Sequence, residues 1–228
     1  MSQPSYVHGA SATPLIGETI GAHFDRIAGR FAERDALIVR HQQIRWTYRE
    51  LQRRVDAFAA GLLAFGLEPG ERVGIWSPNN AEWVVAQFAT AKAGLILVNI
   101  NPAYRLAELE YALNKAGCSA LITAERFKTS DYVGMLNQLA PELADAAPGT
   151  LEAARLPCLR LAINIGGDSV PGMLRFDEIY DLGGDVERER IAALADTLQF
   201  DDPINIQFTS GTTGFPKGAT LTHLIHPR

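Results

Sequence analysis

A short segment near the end of the chain combines the residue types that bind phosphate groups. Residues 209–218 read Thr-Ser-Gly-Thr-Thr-Gly-Phe-Pro-Lys-Gly and follow a run that alternates like a β-strand. Glycines let backbone N–H groups turn toward one point, hydroxyl groups add neutral donors, and a lysine supplies a positive charge. A flexible surface loop is the alternative, and the Pro-Lys-Gly sequence at 216–218 argues against it. The candidate phosphate ligands are Thr209, Ser210, Gly211, Thr212, Thr213, Gly214 and Lys217.

This segment differs from three other motifs that bind nucleotides or catalyse hydrolysis. The mononucleotide-binding pattern G-x-x-x-x-G-K-[ST] requires glycine where this chain has Pro216. The glycine pairs at 166–167 and 183–184 lack the G-x-G-x-x-G spacing of dinucleotide-binding turns. A nucleophile elbow, G-x-S-x-G, fails because Pro171 stands at its last position. We therefore expect a phosphate-binding loop of another type.

Two groups of polar residues close to the loop could be interpreted as metal ligands, but the sequence favours a metal site at neither of them. His223 and His226 have H-x-x-H spacing, but the sequence offers no third ligand, and Pro227 argues against a helix that presents both. Asp201 and Asp202 stand where a strand begins, and adjacent side chains there point apart. We therefore expect a turn at the two aspartates and assign no metal ligands.

The segments before the loop alternate between helical and strand periodicity. Thr47 and Glu50 have the spacing of a capping box, which predicts the start of a helix, and Gly66 stands where that helix would end. The predicted helices are 47–66, about 80–93, about 106–117 and 186–198. The predicted strands are 72–76, 95–98, 118–123, 158–165 and 204–208, with an irregular connection at 141–157.

Single helices between successive strands define βαβ units, whose right-handed crossovers require parallel strands. The predicted fold class is therefore α/β, with a mostly parallel sheet flanked by helices on both faces. In the second predicted helix we expect the inward stripe to consist of Trp83, Val84, Phe88 and Ala91.

The composition is that of an ordinary globular chain. The 228 residues include 21 Lys and Arg against 26 Asp and Glu, which gives a formal net charge of −5. No basic run is longer than the pair Arg53–Arg54, and we interpret this pair as part of a solvated helix face. Nucleic acid and anionic lipid are therefore not expected as partners.

Cysteine usage and the N-terminal residues bear on the cellular compartment. Cys118 and Cys158 each lie in an apolar run, so both thiols are expected to be buried, with no disulfide framework. Residues 1–30 lack the basic start and apolar run of a signal peptide, and no stretch approaches the roughly 18 apolar residues of a transmembrane helix. We therefore expect a cytoplasmic protein without a transmembrane segment.

The loop at 209–218 resembles the signature loop of the adenylate-forming ligases, which include acyl-CoA and aryl-CoA synthetases, luciferases and the adenylation domains of peptide synthetases. Residues 99–105 and 108–113 are most similar to fatty acyl-CoA synthetases, particularly the medium-chain type. The other segments that resemble the start of that fold are 47–51, 66–73 and 76–83. The resemblance spans roughly residues 19–223.

The resemblance implies an AMP-forming fatty acid–CoA ligase with a role in lipid metabolism. In such an enzyme a fatty carboxylate attacks the α-phosphate of Mg²⁺-ATP, pyrophosphate leaves, and the thiol of coenzyme A takes the acyl group from acyl-AMP. The candidate loop residues would bind the β- and γ-phosphates of ATP, and Lys217 would stabilise the charge that develops on the leaving pyrophosphate. The resemblance assigns no catalytic acid, base or nucleophile to this chain.

Complete members of the family are more than twice as long as this chain. Residues 1–228 are therefore expected to form part of the N-terminal AMP-binding domain, ending just after the phosphate loop, without the C-terminal lobe and its catalytic lysine. Residues 224–228 also depart from the family pattern, as a frameshift or premature stop would produce. Two hypotheses remain open: a truncated ligase, and a non-catalytic remnant that binds nucleotide phosphate weakly at most.

Overall fold

The structure is a computed structural model that describes residues 16–209 and 216–224. Its helices are α1 (Ile20–Arg30), α2 (Tyr48–Ala64), α3 (Ala81–Lys92), α4 (Leu106–Ala116), α5 (Tyr132–Leu139) and α6 (Asp185–Thr197). Its strands are β1 (Asp35–Val39), β2 (Ile44–Thr47), β3 (Arg72–Trp76), β4 (Ile96–Asn99), β5 (Cys118–Thr123), β6 (Arg126–Phe127), β7 (Ser130–Asp131), β8 (Leu161–Asn164), β9 (Leu174–Arg175), β10 (Pro203–Thr209) and β11 (Lys217–Thr222).

The described residues form a seven-stranded central sheet in the order β11-β10-β4-β3-β5-β8-β9. Neighbouring strands in it pair in parallel, except that β11 runs antiparallel to β10. Two small antiparallel pairs, β1–β2 and β6–β7, form separate sheets. The expected α/β architecture with a mostly parallel sheet is therefore confirmed.

Helices cover both faces of this sheet. The helices α1, α2, α3 and α6 pack together on one face, and α4 and α5 pack together on the other. Ile122 of β5 belongs to the first core and the preceding Leu121 to the second, because successive side chains of a strand point to opposite faces. All six residues of β5 are buried, and the two polar ones, Ser119 and Thr123, make hydrogen bonds.

The capping box at the start of α2 forms as expected. The Glu50 N–H donates to Thr47 Oγ1 at 3.2 Å, and the Thr47 N–H donates to Glu50 Oε2 at 2.8 Å. Gly66, just beyond the helix, has a φ of +78°, a conformation that glycine adopts without steric cost. The capping box and Gly66 therefore mark where this helix begins and ends.

The prediction for residues 158–165 is wrong in its first part. The strand β8 begins only at Leu161, and Cys158 is exposed in a turn, where the Leu159 N–H donates to the Leu156 carbonyl. Cys118 is buried as expected, and this burial raises the pKa of its thiol to about 12. Both cysteines are free thiols.

The predicted inward face of α3 contacts the core, as expected, but it is not the most buried face of the helix. Trp83, Val84 and Phe88 are only half-buried, whereas Val85 and Ala89 are completely buried with the other small residues of the helix. Small side chains let α3 approach the sheet and α2 closely, so the large rings are left to cover the margin of the core. Phe88, for example, stacks on Phe24 of α1 with ring centroids 4.4 Å apart.

An ion pair joins the start of β3 to the turn before β8. The Glu71 carboxylate accepts hydrogen bonds from both terminal nitrogens of Arg160 at 2.8 Å, from Ser119 Oγ at 2.7 Å and from the Glu68 N–H at 2.8 Å. These bonds, the Arg160 bond first among them, lower the pKa of Glu71 from 4.5 to about 2. The carboxylate therefore stabilises the fold in its ionised form.

We expect Glu71→Gln to lower the free energy of unfolding at pH 7 by about 1–2 kcal/mol, less than the full pKa shift implies because solvent reaches the pair. The folded-state pKa is depressed, so the stabilisation is present above the unfolded-state value of 4.5 and is lost as the pH falls toward 2. Urea denaturation between pH 3 and 7 measures the free energy of unfolding. This free energy should fall less steeply with decreasing pH in the variant than in the parent. Glu110→Gln, which breaks the more exposed Arg155 pair, is the control and should change less. Parallel pH profiles for Glu71→Gln and the parent would contradict the assignment.

Candidate functional site

The predicted phosphate loop connects the ends of two paired strands. Strand β10 ends at Thr209, β11 begins at Lys217, and these two residues are cross-strand partners. The hairpin therefore holds the two ends of the candidate loop side by side. The other candidate ligands, Ser210, Gly211, Thr212, Thr213 and Gly214, lie outside the described residues.

The loop leaves the sheet at the carboxyl ends of the parallel strands. Gln207 of β10 pairs with Asn99, the last residue of β4, so Thr209 extends two residues beyond that strand. The chain passes from β3 to β4 on one side of β3 and then to β5 on the other side. Ligands of open α/β sheets bind beyond the carboxyl ends of the strands, typically at such a switch of direction. The hairpin lies at this carboxyl edge but not at the switch itself, because β4 and β3 stand between β10 and β5.

Thr209 and Lys217 lie on one face of the hairpin, as cross-strand partners do. Both residues are exposed, and Thr209 Oγ1 donates to the Lys217 carbonyl at 3.3 Å. A lysine at this point offers a compact positive charge at the mouth of the loop. The two described candidate residues can therefore act together on an anion bound there.

The opposite face of the hairpin packs against α4. The ring of Tyr111 meets Phe208 edge to face at a centroid distance of 6.5 Å, and the Tyr111 hydroxyl donates to the Pro216 carbonyl at 3.3 Å. Sequence reasoning placed Tyr111 in a segment similar to fatty acyl-CoA synthetases and gave it no role. The one available signal was an aromatic residue beside the apolar stripe of a helix.

Two amide side chains join β10 to β4 just before the loop. Asn99 Nδ2 donates to Asn205 Oδ1 at 3.3 Å. Within the described residues, Asn99 Oδ1 and Asn205 Nδ2 are buried without a hydrogen-bond partner. An unsatisfied buried polar atom costs about 1–3 kcal/mol, so this pair is an energetically expensive part of the strand pairing next to the loop.

The polar residues that flank the hairpin have structural roles. Asp202 accepts from the Gln199 N–H at 2.8 Å and its own N–H donates to the Gln199 carbonyl, which confirms the predicted turn. His223 is buried, and its Nδ1 accepts from the Ile20 N–H at 3.0 Å. Burial lowers the pKa of His223 and favours the neutral ring that this bond requires. His226 lies outside the described residues, and the described part of the chain holds no group of three His, Cys, Asp or Glu placed to bind a metal ion.

The family of the chain follows from comparison with known proteins. Residues 24–225 match the family model described as AMP-binding enzyme. The chain belongs to this AMP-binding enzyme family. The resemblance to the adenylate-forming ligases that the loop indicated is therefore confirmed.

Two relatives illustrate the degree of similarity within the AMP-binding enzymes. The mitochondrial medium-chain acyl-CoA ligase of Bos taurus is 47% identical over 222 residues, which cover 96% of this chain and 36% of that protein. A putative acyl-CoA synthetase of Bacillus subtilis is 39% identical over 209 residues, covering 92% of this chain and 38% of that protein. The chain therefore spans little more than a third of the length of these relatives.

The fold agrees with that of a CoA ligase of known structure. An anthranilate CoA ligase in complex with anthranoyl-AMP superposes with a TM-score of 0.72 at 23% identity, over 91% of this chain and 35% of that one. This structural similarity supports the fold assignment but indicates no particular reaction or substrate.

The expectation of a cytoplasmic protein is wrong. Relatives that are 46–47% identical to this chain over 220–222 aligned residues, the bovine ligase among them, are named as mitochondrial proteins. Absence of a basic, apolar signal peptide does not distinguish the cytosol from an organelle. In the part of the chain that the structure describes, no helix has both the length and the hydrophobicity to cross a membrane.

Proposed function

We propose that this chain supplies the ATP phosphate-binding part of an AMP-forming fatty acyl-CoA ligase. The observation that carries the proposal is the β10–β11 hairpin, which presents Thr209 and Lys217 at the carboxyl edge of the sheet in a member of the AMP-binding family. The names of the relatives support acyl-CoA formation as the overall reaction, and the bovine relative is named for medium-chain substrates.

The role of the loop in this reaction is electrostatic. A fatty carboxylate attacks the α-phosphorus of ATP, the bond to the bridging oxygen breaks, and pyrophosphate leaves with the bonding electrons. Lys217 and the hydroxyl and amide groups of 209–214 bind the β- and γ-phosphates and stabilise the negative charge that the leaving group gains. Lys217 acts in this proposal as a fixed point charge and transfers no proton.

Magnesium and coenzyme A belong to the same proposed reaction. Mg²⁺ would neutralise part of the triphosphate charge, but the described residues include no carboxylate cluster that fits it, so we assign it no ligand in this chain. Coenzyme A would act as the second substrate by taking the acyl group from acyl-AMP. We propose that its site and the alignment of the carboxylate depend on parts of the ligase beyond this segment, since the chain covers 36% of the bovine relative.

We expect the 228-residue chain to bind pyrophosphate or ATP weakly, with a dissociation constant of about 0.1–1 mM, and to form no acyl-CoA. Turnover requires that the fatty carboxylate is held in line with the α-phosphorus, whereas the proposed site binds only the β- and γ-phosphates. NMR titration measures the binding, and release of labelled AMP in the presence of a fatty acid and coenzyme A measures the reaction.

Lys217→Ala tests whether the lysine of the loop contributes to this binding. Lys115→Ala is the control, because Lys115 is also exposed but lies outside the hairpin. Binding that is lost in the first variant and kept in the second supports the phosphate site. AMP release above background would show that the chain is a complete catalyst. No chemical-shift change with either ligand would contradict the proposed phosphate site.

A further inference from the structure

We propose that Tyr111 is a positioning residue that fixes both ends of the phosphate loop, an inference that rests on the proposed function. The side chain contacts Phe208, the residue before Thr209, and Pro216, the residue before Lys217. One residue of α4 therefore touches both strands of the hairpin where the loop leaves and re-enters the sheet.

The contact with the first end of the loop depends on a glycine across the hairpin. Phe208 pairs with Gly218, and a Cβ added at Gly218 would lie 3.1 Å from Ile206 Cγ2 and 3.6 Å from the Phe208 ring. The Phe208 ring therefore occupies the space beside Gly218, while its neighbour Tyr111 packs on it edge to face. Aromatic contact across a strand glycine is a known way to pin strand register. The pairing of Thr209 with Lys217 follows directly from this register.

The contact with the second end is a hydrogen bond to backbone. Pro216 has no N–H, so its carbonyl is the one main-chain polar group that it can offer, and Tyr111 donates to that carbonyl at 3.3 Å. The bond fixes the peptide plane between Pro216 and Lys217. The direction in which the Lys217 backbone leaves the loop is therefore set by α4.

The helix that carries Tyr111 is itself well anchored. Leu109 and Leu113 are buried in the core beneath the sheet, and the Arg105 N–H donates to Glu108 Oε2 at 3.1 Å at the start of the helix. A binding group held by a rigid element keeps its geometry before the ligand arrives, which lowers the cost of binding. Tyr111 thus connects the two ends of the loop to the rigid core.

The experiment compares Tyr111→Phe with a matched control, Tyr132→Phe, in the 228-residue chain. Tyr132 lies on α5 in the same core, and its hydroxyl also donates to a proline carbonyl, that of Pro102, at 2.7 Å. Each variant keeps its ring and loses a phenol-to-carbonyl bond. Tyr132 is completely buried and its bond is the shorter, so Tyr132→Phe should cost the fold at least as much as Tyr111→Phe. A merely structural role would therefore not make Tyr111→Phe the more affected variant at the loop ends.

Two readouts are measured. In the unliganded chain, amide hydrogen exchange at Lys217 and Gly218 should become about three- to tenfold faster in Tyr111→Phe, the scale of one net hydrogen bond, and should not change in Tyr132→Phe. NMR titration with pyrophosphate should show an affinity about three- to tenfold weaker in Tyr111→Phe only.

The outcomes separate this inference from the proposed function. Unchanged exchange at Lys217 and Gly218 in Tyr111→Phe overturns the positioning role, whatever the chain binds. Faster exchange with unchanged pyrophosphate affinity also overturns it, since the loop ends would then not govern binding. A parent chain that fails to bind pyrophosphate overturns the proposed function, and the exchange result alone then decides whether Tyr111 holds the loop ends.

Discussion

Replacement of Lys217 by alanine is expected to slow acyl-AMP formation by about 10²- to 10³-fold in a completed ligase. The completed enzyme would be this chain through His223 followed by the remainder of a related ligase such as the bovine one. Pyrophosphate gains charge as it leaves, and an exposed lysine at the mouth of the loop would stabilise that charge only during this half-reaction. The rate of pyrophosphate release in a single turnover measures the effect.

The second half-reaction distinguishes a phosphate role from a structural one. When acyl-AMP is supplied directly, pyrophosphate has already left, so thioester formation in Lys217→Ala should remain close to that of the parent chimera. Lys115→Ala, the exposed lysine on α4, should leave both half-reactions unchanged. If Lys217→Ala slows both half-reactions equally, or slows neither, then Lys217 does not act on the ATP phosphates.

Features that depend on neighbouring residues in the chain could be predicted from the sequence. The capping box of Thr47 and Glu50 and the strand β5 are each encoded within one turn or one strand, and they occur where expected. The parallel arrangement followed from the alternation of these elements, because crossover connections allow few topologies. The loop itself was recognisable because its residue types stand next to each other.

Features that depend on distant residues were missed. Tyr111 gains its role from Phe208 and Pro216, about a hundred positions away, and nothing in α4 alone distinguishes it from a core residue. Cys158 has apolar neighbours, yet the turn that exposes it is set by the pairing of β8 with β5. Periodicity likewise assigned the large side chains of α3 to the core, whereas close packing placed the small ones there.

Gly61 is a further residue whose importance lies in a distant partner. It stands in the middle of α2, where glycine is normally unfavourable by about 1 kcal/mol relative to alanine. In the structure the backbone of the Glu178–Asp181 turn lies directly against it, and a Cβ at Gly61 would overlap the Ile179 carbonyl oxygen and come within 2.7 Å of Ile179 Cγ2. Gly183 makes a similar close approach to Ala60. The turn is followed by α6 and β10, so this contact helps to place the strand that carries the loop.

We expect Gly61→Ala to lower the free energy of unfolding by about 3 kcal/mol or more, because the added methyl group meets backbone that cannot rotate away. Gly29→Ala in α1 is the matched control, since a Cβ there meets nothing within 4 Å, and the higher helix propensity of alanine should raise stability by about 0.5 kcal/mol. Urea denaturation followed by circular dichroism measures both. In the completed ligase, Gly61→Ala should impair the two half-reactions together, because it displaces the whole strand, whereas Lys217→Ala impairs only the first. Equal stability of the two alanine variants would show that α2 and the turn do not pack backbone against backbone.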